Sequence, residues 1–468
     1  MKPYWIIINL LSPLLSLGQA SSTLELDDYI KVVYEYHPLI KNARLLQEKS
    51  DAIARQAKGE LDPTIDVDYN QKSFDDKNYY QKLSGLIKVP SKLGIDVYGG
   101  YESNDGIFLN NENSLPTNGL AFGGISVPIG KGLFYNKRRK IIDEANIIRS
   151  INEIESQTLI NELLAEAAYN YIEWQYTYQS RLLYQEAYDI AQIRYDNTIA
   201  IYNTGDGPAI DTLEAKVNLN SRSIDLQSAI QEENQAINNL ELYLWTEDAG
   251  IVELLPTTIP QVLDQDIWIE DMMILESQWL TIIPNLPSIL KFENYEDKLN
   301  IERRLINESL KPELNLKLNA LLQINENNKV VSYNRNDYKL GVDFYYPIFN
   351  RKAKGAQQAI DIDIQSNSND QMIKQQSIYV YAQNIMLEIQ TLNSILEQSI
   401  INQEDRVFLL EIENDKFSIG ESSVFLVNSR ELKLLDTKLK VATIKQKLLN
   451  KKIGFFSLLF QLQEILKL

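Results

Sequence analysis

The sequence predicts a mainly α-helical protein with membrane β-strands, built from a duplicated helix-hairpin repeat. Three observations lead there: two helical stretches of nearly seventy residues, short alternating segments between helices, and one spacing of prolines and glycines that occurs twice.

Residues 1–20 read as a secretory signal. Lys2 is followed by an apolar stretch from Trp5 to Leu17 and by Gly18-Gln19-Ala20, a small-x-small cleavage site. Beyond it no run of about 18 apolar residues occurs, so any later membrane crossing falls to strands.

The repeat is set by landmarks. Pro38 and Pro63 lie 25 positions apart, followed by Pro128-Ile129 and by Gly205 with Tyr202 three residues before it. Pro287 and Pro312 are also 25 apart, followed by Pro347-Ile348 and by Gly420 with Phe417 three residues before it. Gly205 to Trp245 and Gly420 to Phe460 are both 40 residues. These landmarks divide the chain into a first repeat (21–245), a connector (246–283, with Trp268, Met272, Met273 and Trp279) and a second repeat (284–468). The first repeat holds about 30 extra residues between its strand prolines.

Helical periodicity with almost no internal Gly or Pro covers Leu24 to Glu60, Asn136 to Asn203, Pro208 to Trp245, Asn350 to Ser418 and Ser422 to Leu466. In the last, Phe425, Leu432, Leu439, Gln446, Ile453 and Phe460 recur every seven, interleaved with Leu435, Ala442, Leu449 and Phe456, a two-stripe seam. The longest helices extend roughly 100 Å and their shorter neighbours about 55 Å at 1.5 Å per residue. Such rods need neighbours in a bundle or tube.

Strand signals separate tube from stalk. Leu314, Leu316, Leu318, Ala320, Leu322 and Ile324 alternate with mostly polar residues, and Tyr338, Leu340, Val342, Phe344 and Tyr346 do the same across a polar link, 325–337. Each segment is long enough to cross a bilayer as a tilted strand, and Tyr338 and Tyr346 are placed at opposite ends of one apolar face. Ile65, Val67, Tyr69, then Ile95, Val97, then Ala121, Gly123, Ile125, Val127 give weaker alternation in the first repeat. About four strands per chain cannot close a barrel, and an open edge in hydrocarbon leaves backbone groups unpaired at several kcal/mol each. Several copies must share one barrel; four strands from each of three make twelve. The extra residues of the first repeat add either another hairpin, for six strands per chain, or an external loop.

Composition removes most alternatives. The 468 residues hold 46 Lys+Arg against 64 Asp+Glu, a net charge of −18, one His and no Cys. Thiol catalysis, Cys-ligated zinc and any site needing two histidines are excluded, and the negative field disfavours nucleic acid. Ile129-Gly130-Lys131-Gly132 lacks the residues of a phosphate-binding loop. His37, before a proline at a helix bend, is assigned a structural role. No catalytic, cofactor-binding or metal-ligating residue is assigned. Lys131, Lys137, Arg138, Arg139 and Lys140, then Arg351, Lys352 and Lys354, follow the strand-ending prolines, where they would meet phospholipid headgroups.

Over nearly all of its mature length the chain resembles the outer-membrane efflux proteins of the TolC type. The residues that carry the likeness are Thr23-Leu24-Glu25-Leu26 with Pro38-Leu39, the strand-ending Pro128-Ile129 and Pro347-Ile348, and two tip motifs. These motifs are Tyr202-Asn203-Thr204-Gly205 before Asp211-Thr212-Leu213-Glu214-Ala215, and Phe417-Ser418-Ile419-Gly420 before Ser422-Ser423-Val424. The resemblance implies a homotrimer with a shared barrel in the outer membrane of a Gram-negative bacterium and a helical tunnel in the periplasm. Its tips would dock a periplasmic adaptor and an inner-membrane pump for drug efflux or type I secretion. It places Gly205, Asp206, Gly207, Pro208, Gly420, Glu421, Ser422 and Ser423 at the adaptor interface. Related channels carry an acidic ring six and nine residues after the second glycine, where this chain has Leu426 and Ser429. The same offsets from Gly205 give Asp211 and Glu214 as the candidate tunnel-entrance ring. The competing expectation is a secreted coiled-coil stalk or adhesin without a pore.

Overall fold

The computed structural model describes residues 22–205, 207–324 and 331–468, so the signal (1–20) and Asp206 lie outside the described residues. The chain forms two compact units, and the long helices contribute residues to both.

The first unit comprises Met1–Lys41, Leu159–Ile282 and Ile378–Leu468. It begins with a short strand, β1 (Thr23–Leu24), and α1 (Leu26–Tyr36). The helix expected from Leu24 to Glu60 is broken at His37-Pro38, where α2 (Pro38–Lys58) starts. Nδ1 of His37 accepts a hydrogen bond from the Leu39 amide at 3.2 Å, and its ring stacks on Tyr243 with centroids 5.9 Å apart. Burial lowers the pKa of this imidazole, in keeping with a structural role.

Later in this unit come the C-terminal part of α3 (Lys137–Asn203), α4 (Ala209–Glu241), β6 (Ile259–Pro260) and α5 (Ile269–Ile282). The core forms where α3 reads Leu163, Leu164, Ala167, Ala168, Tyr171 and Trp174, all buried. The alanines there let neighbouring helices approach. Tyr171 donates to the Leu24 carbonyl at 2.7 Å and accepts from the Gln261 amide at 3.0 Å, holding the parallel β1–β6 pair against α3.

The unit ends with the later part of α7 (Arg351–Ser418), α8 (Val424–Leu458) and α9 (Leu462–Ile465). On α8 the stripe of Leu435, Ala442, Leu449 and Phe456 is buried as expected, but its main partners are Val427, Leu434, Val441, Leu448 and Phe455, two residues from the stripe anticipated, of which Ile453 is buried as well. Phe425 and Leu432 stay exposed. Neighbours on more than one side bury adjacent positions, which a two-stranded heptad pattern does not foresee. The helix also stops earlier than expected: Phe460 adopts φ 57° and the Gln461 amide returns to the Phe456 carbonyl. Lys452 is enclosed on α8 and donates to the carbonyls of Gln265 and Ile267, the latter at 2.9 Å. Burial pushes its pKa down to about 8 despite nearby Asp266 and Asp264.

The second unit comprises Asn42–Thr158 and Ile283–Ser377. Its centre is a six-stranded antiparallel sheet: β2 (Thr64–Phe74), β3 (Lys77–Pro90), β4 (Asp96–Asp105), β5 (Leu120–Gly130), β7 (Glu313–Ile324) and β8 (Val331–Tyr345), in that spatial order. α6 (Pro287–Ser309) leads into β7, and Pro287 at its first turn starts it without loss of a needed N–H. The count of about four strands is thus corrected to six: the extra residues of the first repeat are the β3–β4 region, paired along ten positions from Gln81↔Asp105 to Pro90↔Asp96.

Alternation is faint there because glycine replaces side chains that would clash. A Cβ on Gly100 would lie 2.7 Å from Cζ of Phe122, directly across the ladder, and one on Gly124 would meet Tyr98. Each ring fills the space its partner glycine leaves, a pairing that hydropathy does not register.

Candidate functional site: a two-faced sheet and two helix reversals

The ladder register separates the sheet into two chemistries. Following cross-strand partners, Ile65, Ile87, Gly99, Gly123, Ala320 and Tyr338 share one face. With them lie Val67, Tyr69, Leu83, Val89, Val97, Ile125, Val127, Leu314, Leu316, Leu318, Leu340, Val342 and Phe344. The opposite face carries Asp66, Asp68, Asn70, Lys88, Asn315, Lys317, Asn319, Lys339 and Asp343, where Lys317 pairs with Asp343 at 2.9 Å. The apolar face is bare: Ile65 is 73% exposed and Phe344 69%. A water-facing sheet would carry its polar residues there, so this band is built for hydrocarbon on one side and water on the other.

The expected strand residues Leu314, Leu316 and Leu318 lie on β7, and Tyr338, Leu340, Val342 and Phe344 on β8. Tyr346 lies just beyond the last strand residue. Tyr338 is corrected to mid-strand, because β8 begins at Val331 and a register shift opposite Ala320/Leu322 lengthens it. Aromatic residues do mark both ends of the sheet, though they are different ones. Phe74, Tyr79 and Phe108 cluster at one end, with Tyr79 and Phe108 centroids 4.6 Å apart. At the helix end Phe134 and Phe349 are exposed beneath Lys311 and Arg351, at 5.4 Å and 5.1 Å. Aromatic and basic side chains together suit a headgroup boundary. An aromatic beside a lysine or arginine just past a strand-ending proline was the sequence signal for this second belt. Of the basic cluster, Arg138 is engaged with Asp96 at 2.6 Å and Lys131 with Glu313 at 3.1 Å, while Lys137, Arg139, Lys352 and Lys354 remain exposed.

The two helix reversals are alike in backbone and different in side chains. Gly205 after α3 has φ 86° and Gly420 after α7 has φ 78°, left-handed conformations that glycine adopts without strain. Gly207 and Pro208 precede α4, with Pro208 extended at its N-cap; Ser423 caps α8 through Leu426. Asp211 and Glu214 are half-buried on the first turns of α4, and Glu421 is exposed. The second reversal is pinned by a residue the sequence did not single out: Glu413 accepts from Ser422 Oγ at 2.6 Å and from Arg430 Nε at 3.3 Å. Those partners hold the Glu413 carboxyl below its usual pKa, the Ser422 hydrogen bond foremost.

Above the reversals, Arg194 on α3 bonds Glu431 on α8, and Asn218 on α4 donates to Asn428 at 3.2 Å. Arg222 pairs with Asp225 at 2.9 Å. Asn218, Arg222, Asn428 and Glu431 line a groove with Leu183, Leu410, Leu434 and Leu435. Burial raises the Glu431 pKa, opposed by Arg194 and Arg222. Among the described residues no helix is long and apolar enough to cross a membrane, and no group of three or more His, Asp or Glu residues is placed to hold a metal ion.

No protein-family model and no curated protein sequence matches the chain. Solved structures do. The CmeC outer membrane channel of Campylobacter jejuni superposes with a TM-score of 0.64 at 13% identity, over 93% of this chain and 85% of its own. The outer membrane protein VceC of Vibrio cholerae gives 0.65 at 13% identity, over 93% and 95%. The open state of the Neisseria gonorrhoeae MtrE outer membrane channel gives 0.65 at 14%, over 93% and 88%. The chain has the fold of these outer-membrane channels. In this channel fold the sheet supplies a two-faced wall and the reversals end the longest helices, so the landmarks that signalled the repeat are structural turning points.

Proposed function

We propose that the chain is the outer-membrane channel-tunnel of a tripartite efflux or type I secretion system, a passive, non-enzymatic conduit driven by an inner-membrane pump. Three copies share one barrel in the outer membrane of a Gram-negative bacterium and extend a helical tunnel into the periplasm. The observation that carries this reading is the bare apolar face backed by a polar one across all six strands. A stalk or adhesin has no use for such a sheet. Two free strand edges per chain require other copies to complete the ring.

The reversals at Gly205–Ala209 and Gly420–Ser423 are the docking points for the adaptor. Their glycines turn the chain without a side chain in the way, and Ser422, Ser423 and Glu421 offer polar contacts. Asp211 and Glu214, three copies of each, form an acidic ring at the tunnel entrance that favours cations. Purification in detergent followed by planar-bilayer recording tests the reading. A trimer with stepwise conductance supports it; a monomer soluble without detergent and silent in bilayers rejects it.

A further inference from the structure

The sheet ends in two unpaired edges, β2 and β8, and an even strand number makes them run in opposite directions. We propose that β8 of each copy pairs antiparallel with β2 of the next, so that three copies close an eighteen-stranded barrel rather than a twelve-stranded one. This rests on the channel reading above and goes beyond it by fixing the seam and the strand number.

The observations that carry it concern β2 and β3. They are 11 and 14 residues long, enough to cross a bilayer, and from Thr64 to Lys72 they continue the apolar and polar faces of the other four strands, the register shifting only at Lys72/Ser73. A hairpin folded away as an external loop has no reason to keep Ile65, Val67 and Tyr69 in line with Val97 and Ile125. The stagger agrees as well. Followed through the ladder, Thr64 aligns with Lys88, Tyr98, Gly124, Asn319 and finally Lys339, six residues short of the β8 terminus at Tyr345. If the next copy's Thr64 lies beside Tyr345, the stagger is one residue per strand. At about 3.3 Å per residue and 4.8 Å between strands this tilts the strands by roughly 35°, within the range of membrane barrels.

The same flush register sets Ile65 against Phe344, Val67 against Val342 and Tyr69 against Leu340, apolar on apolar. A one-residue slip toward the β8 start would set them against Asp343, Gly341 and Lys339, residues of the opposite face. Just below the seam, exposed Glu60 and Asp62 precede β2, and exposed Arg351 and Lys352 follow β8, so opposite charges meet across copies. For a fixed tilt, barrel diameter grows with strand number, making this pore about 1.5 times as wide as a twelve-stranded one.

Disulfide trapping tests the seam, because the chain has no cysteine of its own. Ile65→Cys combined with Phe344→Cys, and Val67→Cys combined with Val342→Cys, are oxidised in native outer membranes. The expected result is a ladder of covalent dimers and trimers. The control set pairs Val97→Cys with Phe344→Cys, the seam that would form if β2 and β3 stood outside the wall. A ladder from this control and none from the β2 pairs overturns the eighteen-stranded barrel while leaving a conducting trimer intact. Absence of any ladder in a particle that conducts overturns it also. Absence of conductance in the parent chain removes the channel reading itself.

Discussion

Ser422 Oγ donates a 2.6 Å hydrogen bond to Glu413 Oε1, so the loop that leaves α7 is held to that helix by the residue two beyond the turning glycine. Gly420 supplies the left-handed backbone that permits the turn, and Glu413 supplies the anchor that fixes where it ends. Arg430 on α8 completes the link at 3.3 Å.

Acid should loosen this reversal. Because the folded pKa of Glu413 is depressed, its stabilisation is present above the ordinary carboxylate range and is lost as pH falls through the folded value. Protection of amides 418–427, measured as exchange relative to the intrinsic rate at each pH, should fall on acidification in the parent chain, and Glu413→Gln should show low protection already at neutral pH and change little with further acid. A variant indistinguishable from the parent at neutral pH contradicts the anchor.

The Arg194–Glu431 pair should be asymmetric under mutation. Arg194→Ala leaves a largely buried carboxylate without its main partner, a cost of about 1–3 kcal/mol. Glu431→Gln keeps a hydrogen-bonding group there and should cost less. Burial already raises the Glu431 pKa, so its charge opposes folding above the ordinary carboxylate pKa and that opposition is relieved as pH falls through the raised value. Thermal unfolding should therefore show Arg194→Ala partly rescued by mild acid, with no rescue for Glu431→Gln.

Two sheet glycines should differ. At Gly100 a methyl group would strike Phe122 and the Gly85 carbonyl, and Gly100→Ala should cost about 1–3 kcal/mol, read as a lower temperature of trimer dissociation on gels. Gly123 has nothing within 4 Å of the added Cβ, and Gly123→Ala should leave that temperature within a degree or two of the parent, about the shift expected for a surface change.

Much of this was legible in the sequence, and the parts that were not have physical causes. Proline and glycine spacing placed the helix reversals because those residues act through backbone geometry that any environment preserves. Strands β7 and β8 were readable from Leu314 to Phe344 because one face is uniformly apolar. Strands β3 and β4 were not, because Gly85, Gly99 and Gly100 interrupt the alternation, and at Gly100 the space goes to the Phe122 ring of β5. Glu413 was illegible for a different reason: it is one carboxylate among many, distinguished only by the turn that carries Ser422 back to it. The shifted seam on α8 reflects burial from several sides, which a single helix's pattern does not reveal.

Neutralising the proposed entrance ring should change what the pore prefers. Asp211→Asn with Glu214→Gln should lower the cation-to-anion permeability ratio several-fold and weaken block by multivalent cations, while leaving the trimer intact. Unaltered selectivity would remove these carboxylates from the entrance.

Alternating accessibility along β8 tests the central claim most directly. Single spin labels at successive positions from Lys339 to Phe344, in protein reconstituted into vesicles, are scored for collision with oxygen dissolved in lipid and with a water-soluble nickel chelate. The account predicts a period of two: Leu340, Val342 and Phe344 in contact with lipid, Lys339, Gly341 and Asp343 in contact with water. Uniform access to the water-soluble reagent at all six positions would contradict it.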